Sequence, residues 1–280
     1  MFFRRERFIE NGVFDFKAYA GSLGGFCNKG TCPHFRAGRN FIKEISLGEW
    51  RKCPGHCITC TNHAEHADER ILSPVEIRKY MEDLSQTYKE VATSNAAEGA
   101  PPPAIVIGAA GDLFYSENYR NLLCMRLADF GIREIKLITS LQTWTLQNCE
   151  RIHPGNYPLV KEIIISLDSA TPQLYETIRA GSKWHNLIRG YERATALFPN
   201  AAYKLSVTVS KANFTDVQGL PEKVPELFPK VACIEYHAVA DWTGQPDMKR
   251  LLLDPAEKAY IERWCAEHDG KYGIPLKFLY

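Results

Sequence analysis

Glu162-Ile163-Ile164-Ile165-Ser166-Leu167 is a short β-branched run, apolar at three successive positions, and a long helix-like pattern over 172–197 follows it. Three isoleucines without polar alternation predict a strand covered on both faces, the habit of parallel sheets. Outward from this run the same alternation recurs in both directions. Strands are expected over 41–47, 104–110, 134–139, 203–209 and 231–239, and further helices over 73–91, 117–130, 141–152, 215–228 and 254–268. Ser73, Pro74 and Glu76 supply an N-cap, a first-turn proline and a capping box for the first of these helices. The Pro/Gly/Ala/Ser-rich segment 92–103 reads as a flexible surface connection, and 274–280 as a final extended run. Six strand-helix units in series point to a parallel α/β architecture. It is expected to be a barrel, closed or partly closed, with its site at the C-terminal ends of the strands; an open doubly wound sheet is the alternative.

Composition limits what such a domain can do. With 280 residues, 45% of them hydrophobic and 24% charged, the chain can bury one barrel-like core or two smaller ones. A formal net charge of +1 gives no global reason to bind nucleic acid or an anionic membrane, and Arg4-Arg5-Glu6-Arg7 reads as a solvated patch. No apolar stretch approaches the roughly 18 residues of a membrane span, and charges rather than a signal-type apolar region follow Phe2-Phe3, so a cytoplasmic protein is expected. Nine cysteines, an odd number with three of them crowded together, favour metal ligation in a reducing compartment over a disulfide framework. Cys124, Cys149, Cys233 and Cys265 stand in apolar or helical contexts and read as buried, inert thiols.

The crowded thiols are Cys53, Cys57 and Cys60, in Cys53-Pro54-Gly55-His56-Cys57-Ile58-Thr59-Cys60 between the first strand and the first helix. A cubane iron-sulfur cluster normally takes four cysteine thiolates. Three on one loop therefore suit a cluster with one iron left open to a substrate or cofactor. Zinc is the competing reading, because His63 and His66 continue the series at regular spacing and zinc accepts mixed sulfur and nitrogen ligands.

From the first strand to the sixth the chain resembles the core of the radical S-adenosylmethionine (radical SAM) enzymes, at five stations in order. The first is the cysteine loop, with Thr59 where the family usually has an aromatic residue. Next comes Gly108-Ala109-Ala110-Gly111-Asp112, similar to the family's Gly-Gly-Glu-Pro segment, with Gly111 and Asp112 in the Gly-Glu places. Its continuation Leu113-Phe114-Tyr115-Ser116 resembles the Gly-Asp-Pro-Phe-Ala-Ser variant of a SPASM-associated branch. Ser166-Leu167-Asp168 and Tyr175-Glu176-Thr177-Ile178-Arg179-Ala180-Gly181 are the third and fourth stations. Val209-Ser210-Lys211-Ala212-Asn213-Phe214, with Val239-Ala240-Asp241-Trp242-Thr243-Gly244 after it, is the fifth. In the N-terminal segment, Cys27-Asn28-Lys29-Gly30-Thr31-Cys32-Pro33 resembles the closing cysteines of a SPASM-type module.

The resemblance implies a partial (β/α)6 TIM-like barrel over 41–280, behind a short cysteine-containing extension over 1–40 that is a SPASM-like remnant. It implies a 4Fe-4S cluster on Cys53, Cys57 and Cys60, and S-adenosylmethionine held by Gly111, Asp112, Ser166 and Arg179. In that assignment the Asp112 carboxylate takes the cofactor's amino group, Ser166 the ribose or carboxylate, and the Arg179 guanidinium the carboxylate. The fifth station would border the adenine and the substrate. Asp168 reads as a cap for the following helix, and the competing reading of Arg179 is a surface ion pair with Glu176. His237, on a predicted strand, reads as a satisfied core histidine. The implied activity is reductive cleavage of S-adenosylmethionine to a 5'-deoxyadenosyl radical and hydrogen abstraction from a substrate, with no catalytic side chain legible. A peptide or sugar-type metabolite, and an electron donor such as flavodoxin or ferredoxin, are the expected partners. The alternatives are a zinc-stabilised binding module and a radical SAM scaffold that has lost its chemistry.

Overall fold

Residues 9–10, 13–14, 41–47, 50–60, 69–109, 111–240 and 246–279 are described by the structure, a computed structural model. Two short strands, β1 (Ile9–Glu10) and β2 (Val13–Phe14), pair antiparallel. Cys27, Cys32, His63, His66, Ala110, and the run from Asp241 to Gly244 lie outside the described residues.

The main sheet is built from β3 (Glu44–Leu47), β4 (Ala104–Ile107), β5 (Ile135–Thr139), β6 (Val160–Ser166), β7 (Ala202–Val209), β8 (Val231–Ala238) and β9 (Leu276–Leu279). All neighbours are parallel and the strands stand in sequence order. That order decides between the two architectures left open by the sequence. A doubly wound sheet reverses its strand order at a switch point and carries helices on both faces, whereas sequential order with right-handed crossovers puts every helix on one face. The helices are α1 (Pro74–Ala97), α2 (Glu117–Leu123), α3 (Leu146–Glu150), α4 (Pro172–Ile178), α5 (Trp184–Leu197), α6 (Leu220–Leu227), α7 (Pro246–Lys249) and α8 (Pro255–His268). The final extended run pairs as a seventh strand beside β8, and the sheet stays open, with β3 and β9 at its edges.

β4 is buried at all four positions, as expected of a strand covered on both faces, but burial alternates along β5, β6 and β7, which corrects that expectation there. Ile163 and Ile165 on β6, and Tyr203, Leu205, Val207 and Val209 on β7, are wholly buried; Glu162, Ile164, Ser166, Lys204, Ser206 and Thr208 are half-buried. The buried face is the helix side. The Tyr203 hydroxyl donates to the Ala194 carbonyl on α5 at 2.8 Å, and the Tyr236 hydroxyl to Val217 at 3.2 Å. Complete burial of such side chains contributes about 1.5–3 kcal/mol each, so this layer is the main source of stability.

The other face carries charge at the N-terminal end of the strands. Lys136 reaches Glu44 at 2.7 Å and Glu162 at 3.6 Å, and Lys204 reaches Glu162 at 2.8 Å and Glu235 at 3.2 Å. Five side chains of alternating sign thus run across the floor of the concave face. Burial alone would lower Lys136, but the hydrogen bond and charge of Glu44 hold it above its ordinary value.

Three local expectations change. Helix α1 keeps its Ser73 capping box but runs on to Ala97, because buried Asn95 is tied to Ile42 by bonds of 2.7 and 3.0 Å and to the Pro101 carbonyl at 2.8 Å. The presumed flexible connection is therefore anchored. The helix expected over 141–152 shortens to α3, since Leu141 adopts a left-handed φ of 61°. The long helix expected over 172–197 breaks into α4 and α5 at Arg179-Ala180-Gly181, with Gly181 at φ 86°.

Candidate functional site

The cysteine loop leaves β3 through Trp50, a buried ring packed 5.0 Å from Tyr80 on α1 and 5.0 Å from Tyr119 on α2. From there the backbone is pinned from two sides. The N–H groups of His56 and Ile58 donate to the carbonyls of Ala180 at 2.6 Å and Ile178 at 2.9 Å, both at the α4 break. On the other side the Asp112 N–H donates to the Lys52 carbonyl at 3.0 Å. Two stations separated by more than a hundred residues from the loop, or by half that distance, are thus physically sewn to it.

Glycines make the seams possible. A Cβ at Gly111 would lie 2.7 Å from the Lys52 oxygen and 2.7 Å from the Arg51 carbonyl carbon, and one at Gly181 would lie 2.8 Å from the Pro54 oxygen. Gly111, expected to let backbone approach the cofactor, lets it approach the cysteine loop. Gly111→Ala is accordingly expected to cost about 1–3 kcal/mol, read as a lowered urea midpoint, because rigid backbone must move on both sides. Unchanged stability would show that the seam is loose.

Cys53, Cys57 and Cys60 are half-buried and reduced. The Gly55 Cβ position lies 3.4 Å from the Cys57 sulfur and 3.7 Å from the Cys53 sulfur, so both thiols fold about one point of the loop. Burial, reinforced by the Asp112 charge, pushes the Cys53 thiol up to about 12; burial also raises Cys57, against the pull of the nearby Arg179 guanidinium. Bare thiolates are disfavoured there, and a cationic metal group supplies the charge that would release their protons. Among the described residues no three His, Cys, Asp or Glu side chains converge to hold a single metal ion. A cubane instead takes its thiolates at separate iron corners, so the donor set fits a cluster of that kind. Of the remaining thiols, Cys149, Cys233 and Cys265 are buried as expected; Cys124 is exposed, because α2 ends at Leu123 and leaves it as the C-cap.

Asp112 is buried at 1% exposure just beyond β4, and its carboxylate is surrounded by donors. The Ser140 hydroxyl donates to Oδ2 at 2.6 Å, the Phe114 N–H to Oδ1 at 3.3 Å, and the Thr143 hydroxyl to Oδ1. The cap of α2 is Ser116, whose hydroxyl accepts from the Tyr119 N–H at 3.2 Å, so Asp112 is not the helix-entry residue.

The competing surface-pair reading of Arg179 and the cap reading of Asp168 are both overturned. Arg179 does not pair with Glu176, which instead takes Lys183 at 3.1 Å and the Trp184 N–H at 2.9 Å. The Arg179 Nε stands 2.9 Å from Oδ2 of Asp168, whose side chain is 0% exposed. The Nε–H is not aimed along that contact, so the two charges pair without a directed hydrogen bond. Burial works against the guanidinium, yet the Asp168 charge outweighs it and holds Arg179 above its ordinary value. Asp168 does not cap α4, whose N-cap is Thr171; its Oδ1 accepts the Thr208 N–H at 2.8 Å. Ser166 ends β6 on the concave face, opposite Ser206 in the register.

Sequence reading missed the residues that brace these groups. Gln142 bridges the turn after β5 to the α4–α5 region, donating to the Tyr175 hydroxyl at 3.0 Å and accepting from the Lys183 N–H at 2.7 Å. The Asn213 amide donates to the carbonyls of Asp168 at 2.8 Å and Thr208 at 2.9 Å, so it is spent on clamping the ends of β6 and β7. Only the polar residues Ser140, Gln142 and Thr143, at the start of a presumed helix, hinted at such a turn.

Neither protein-family models nor curated proteins give a match to the chain. Solved structures do. SuiB of Streptococcus suis, bound to its precursor peptide SuiA, aligns over 97% of this chain and 57% of its own, at TM-score 0.60 and 12% identity. The anSMEcpe protein with bound AdoMet and the Kp18Cys peptide aligns over 85% of this chain and 63% of its own, at TM-score 0.58 and 12% identity. A radical SAM methyltransferase from Sphaerobacter thermophilus gives 85% and 65%, at TM-score 0.53 and 15% identity. The fold is that of the radical SAM enzymes. The chain spans 57% to 65% of the length of these three neighbours.

Proposed function

We propose that the protein is a radical SAM enzyme of the SPASM-associated branch, with residues 1–40 a remnant extension and 41–280 the catalytic core. The observation that carries this reading is the assembly at one end of the sheet: the three-thiol loop is hydrogen-bonded to the backbone of both Asp112 and the Arg179 segment. Charge relations extend it, since Asp112 acts on Cys53, and Arg179 and Asp168 act on Cys57. The bound AdoMet of a structural neighbour supports the cofactor assignment.

In this reading Cys53, Cys57 and Cys60 hold a 4Fe-4S cluster, and Gly111, Asp112, Ser166 and Arg179 surround S-adenosylmethionine. When both groups are bound and an electron arrives from a flavodoxin or ferredoxin, they supply a 5'-deoxyadenosyl radical able to abstract hydrogen from a substrate. The chain's own work is positional. Asp112, held by Ser140 and Thr143, offers a fixed carboxylate to an ammonium; Arg179, held by Asp168, keeps a guanidinium beside the loop. The precursor peptide and the Kp18Cys peptide of two neighbours favour a peptide substrate over a sugar-type metabolite. No helix among the described residues is long and apolar enough to cross a membrane.

Calorimetric titration of reconstituted protein with S-adenosylmethionine tests the cofactor site. Asp112→Asn is expected to weaken binding by about 1.5–3 kcal/mol, one to two orders of magnitude in Kd, with iron content unchanged, since one charge-assisted contact is lost. An unaltered Kd would make Asp112 a brace of the turn and nothing more.

A further inference from the structure

His237 departs furthest from the role its sequence context suggested. It lies at the C-terminal end of β8, in register with Thr208 of β7 and Leu279 of β9. Its neighbours Ile234 and Tyr236 face the helices and are wholly buried, so His237 and Glu235 take the concave face, where both are half-buried. A satisfied core histidine has partners for both ring nitrogens. This one makes no hydrogen bond with any described residue, although a neutral imidazole always offers one donor and one acceptor.

The charges around it on β6, β7 and β8 are occupied. On its own strand, Glu235 is 3.2 Å from Lys204; across β7, Asp168 is 2.9 Å from Arg179 and accepts the Thr208 N–H at 2.8 Å. From β9, Lys277 stands opposite Glu235 in the register. Burial outweighs the charges of Glu235 and Asp168 and lowers His237 below the ordinary imidazole value. Burial thus favours the neutral ring. Around it the wall is hydroxylated: Ser166 and Ser206 face each other in register one level down, and Thr208 stands beside it. Below these lies the charged floor, where Lys136 and Lys204 each stand between two carboxylates.

Resting on the radical SAM reading, we propose that the inner wall of β6, β7 and β8 is the substrate pocket, that it accepts an uncharged hydroxyl- or amide-bearing group, and that His237 contacts that group. A charged group would find every charge of this described wall already paired, and an apolar one would leave the Ser206 and Thr208 hydroxyls and an imidazole unsatisfied. A neutral peptide segment or a serine-like side chain meets both conditions. An acidic or basic side chain could bond the hydroxyls but would find no free counter-charge on this described wall.

The test uses cluster-loaded protein with labelled histidine rings, followed by NMR. The His237 resonance is assigned by its loss in His237→Gln. N-acetylserine methylamide is then added, with N-acetylaspartate methylamide as the anionic comparison. The expected result is a saturable shift of the His237 signal with the serine compound alone, and binding about five- to tenfold weaker in His237→Ala, with His237→Gln near wild type because its amide also donates and accepts. Its pH titration should fall below the ordinary imidazole value. A silent His237 signal, equal binding of the aspartate compound, or undiminished binding in His237→Ala would overturn the proposal. Cleavage of S-adenosylmethionine without substrate, measured on the same preparation, separates the two readings. If cleavage proceeds and His237 is silent, only the pocket assignment fails; if the pocket binds and cleavage is absent, only the enzymatic reading fails.

Discussion

Cys57→Ala is expected to leave the reconstituted protein colourless, with iron and sulfide near background, while Cys124→Ala and Cys265→Ala retain wild-type content. The expectation follows from the ligand count. A cubane with three protein thiolates has no spare ligand, and removing one leaves two on a loop with no replacement among the described thiols: Cys149, Cys233 and Cys265 are buried elsewhere and Cys124 is an exposed helix cap. Backbone anchorage of the loop at Ala180, Ile178 and Asp112 does not depend on the Cys57 sulfur. The folded fraction should therefore be preserved by circular dichroism while the metal is lost, and a full complement of iron in Cys57→Ala would end the ligand assignment.

A second large effect is expected at the buried ion pair. Arg179→Met removes the counter-charge of a carboxylate that is 0% exposed, and Asp168→Leu strands a guanidinium that is 12% exposed. Breaking such a pair from one side costs about 3–5 kcal/mol, against about 0–1 kcal/mol for a surface pair. Urea denaturation should show each single variant losing stability on the larger scale. The double variant should lose much less than the sum of the two, because two apolar side chains can replace a buried pair at little net cost. Losses below about 1 kcal/mol in both single variants would mean that water reaches the pair and that it does not brace the loop beside Cys57.

What the sequence made legible, and what it hid, follows the range of the interactions involved. Capping boxes are local, and those of Ser73 with Glu76 and Asp254 with Glu257 fall where the residue order puts them. Parallel strands with helices between them were equally readable, because each unit carries its own period. The sidedness of the sheet was readable but outvoted: Glu162, Lys204 and Glu235 mark one face, yet Ile163-Ile164-Ile165 suggested two covered faces. The break between α4 and α5 was masked by a helical period that continues across it, and Gly181 was its one signal. Leucine is among the residues least suited to positive φ, so the left-handed Leu141 that turns Ser140 and Thr143 onto Asp112 has no sequence signature. The Asp168–Arg179 pair and the lack of a hydrogen-bond partner for His237 among the described residues are tertiary facts. Each depends on which strand face a residue takes and what stands opposite, and neither is written in the neighbouring residues.

The measurement closest to the central claim is product analysis after anaerobic reconstitution, reduction and addition of S-adenosylmethionine. The protein is expected to hold one four-iron cluster per chain and to release 5'-deoxyadenosine and methionine in equal amounts, with release abolished in the Cys57→Ala variant. Protein that binds zinc without iron, or that holds the cluster and S-adenosylmethionine yet releases no 5'-deoxyadenosine under reduction, would contradict it.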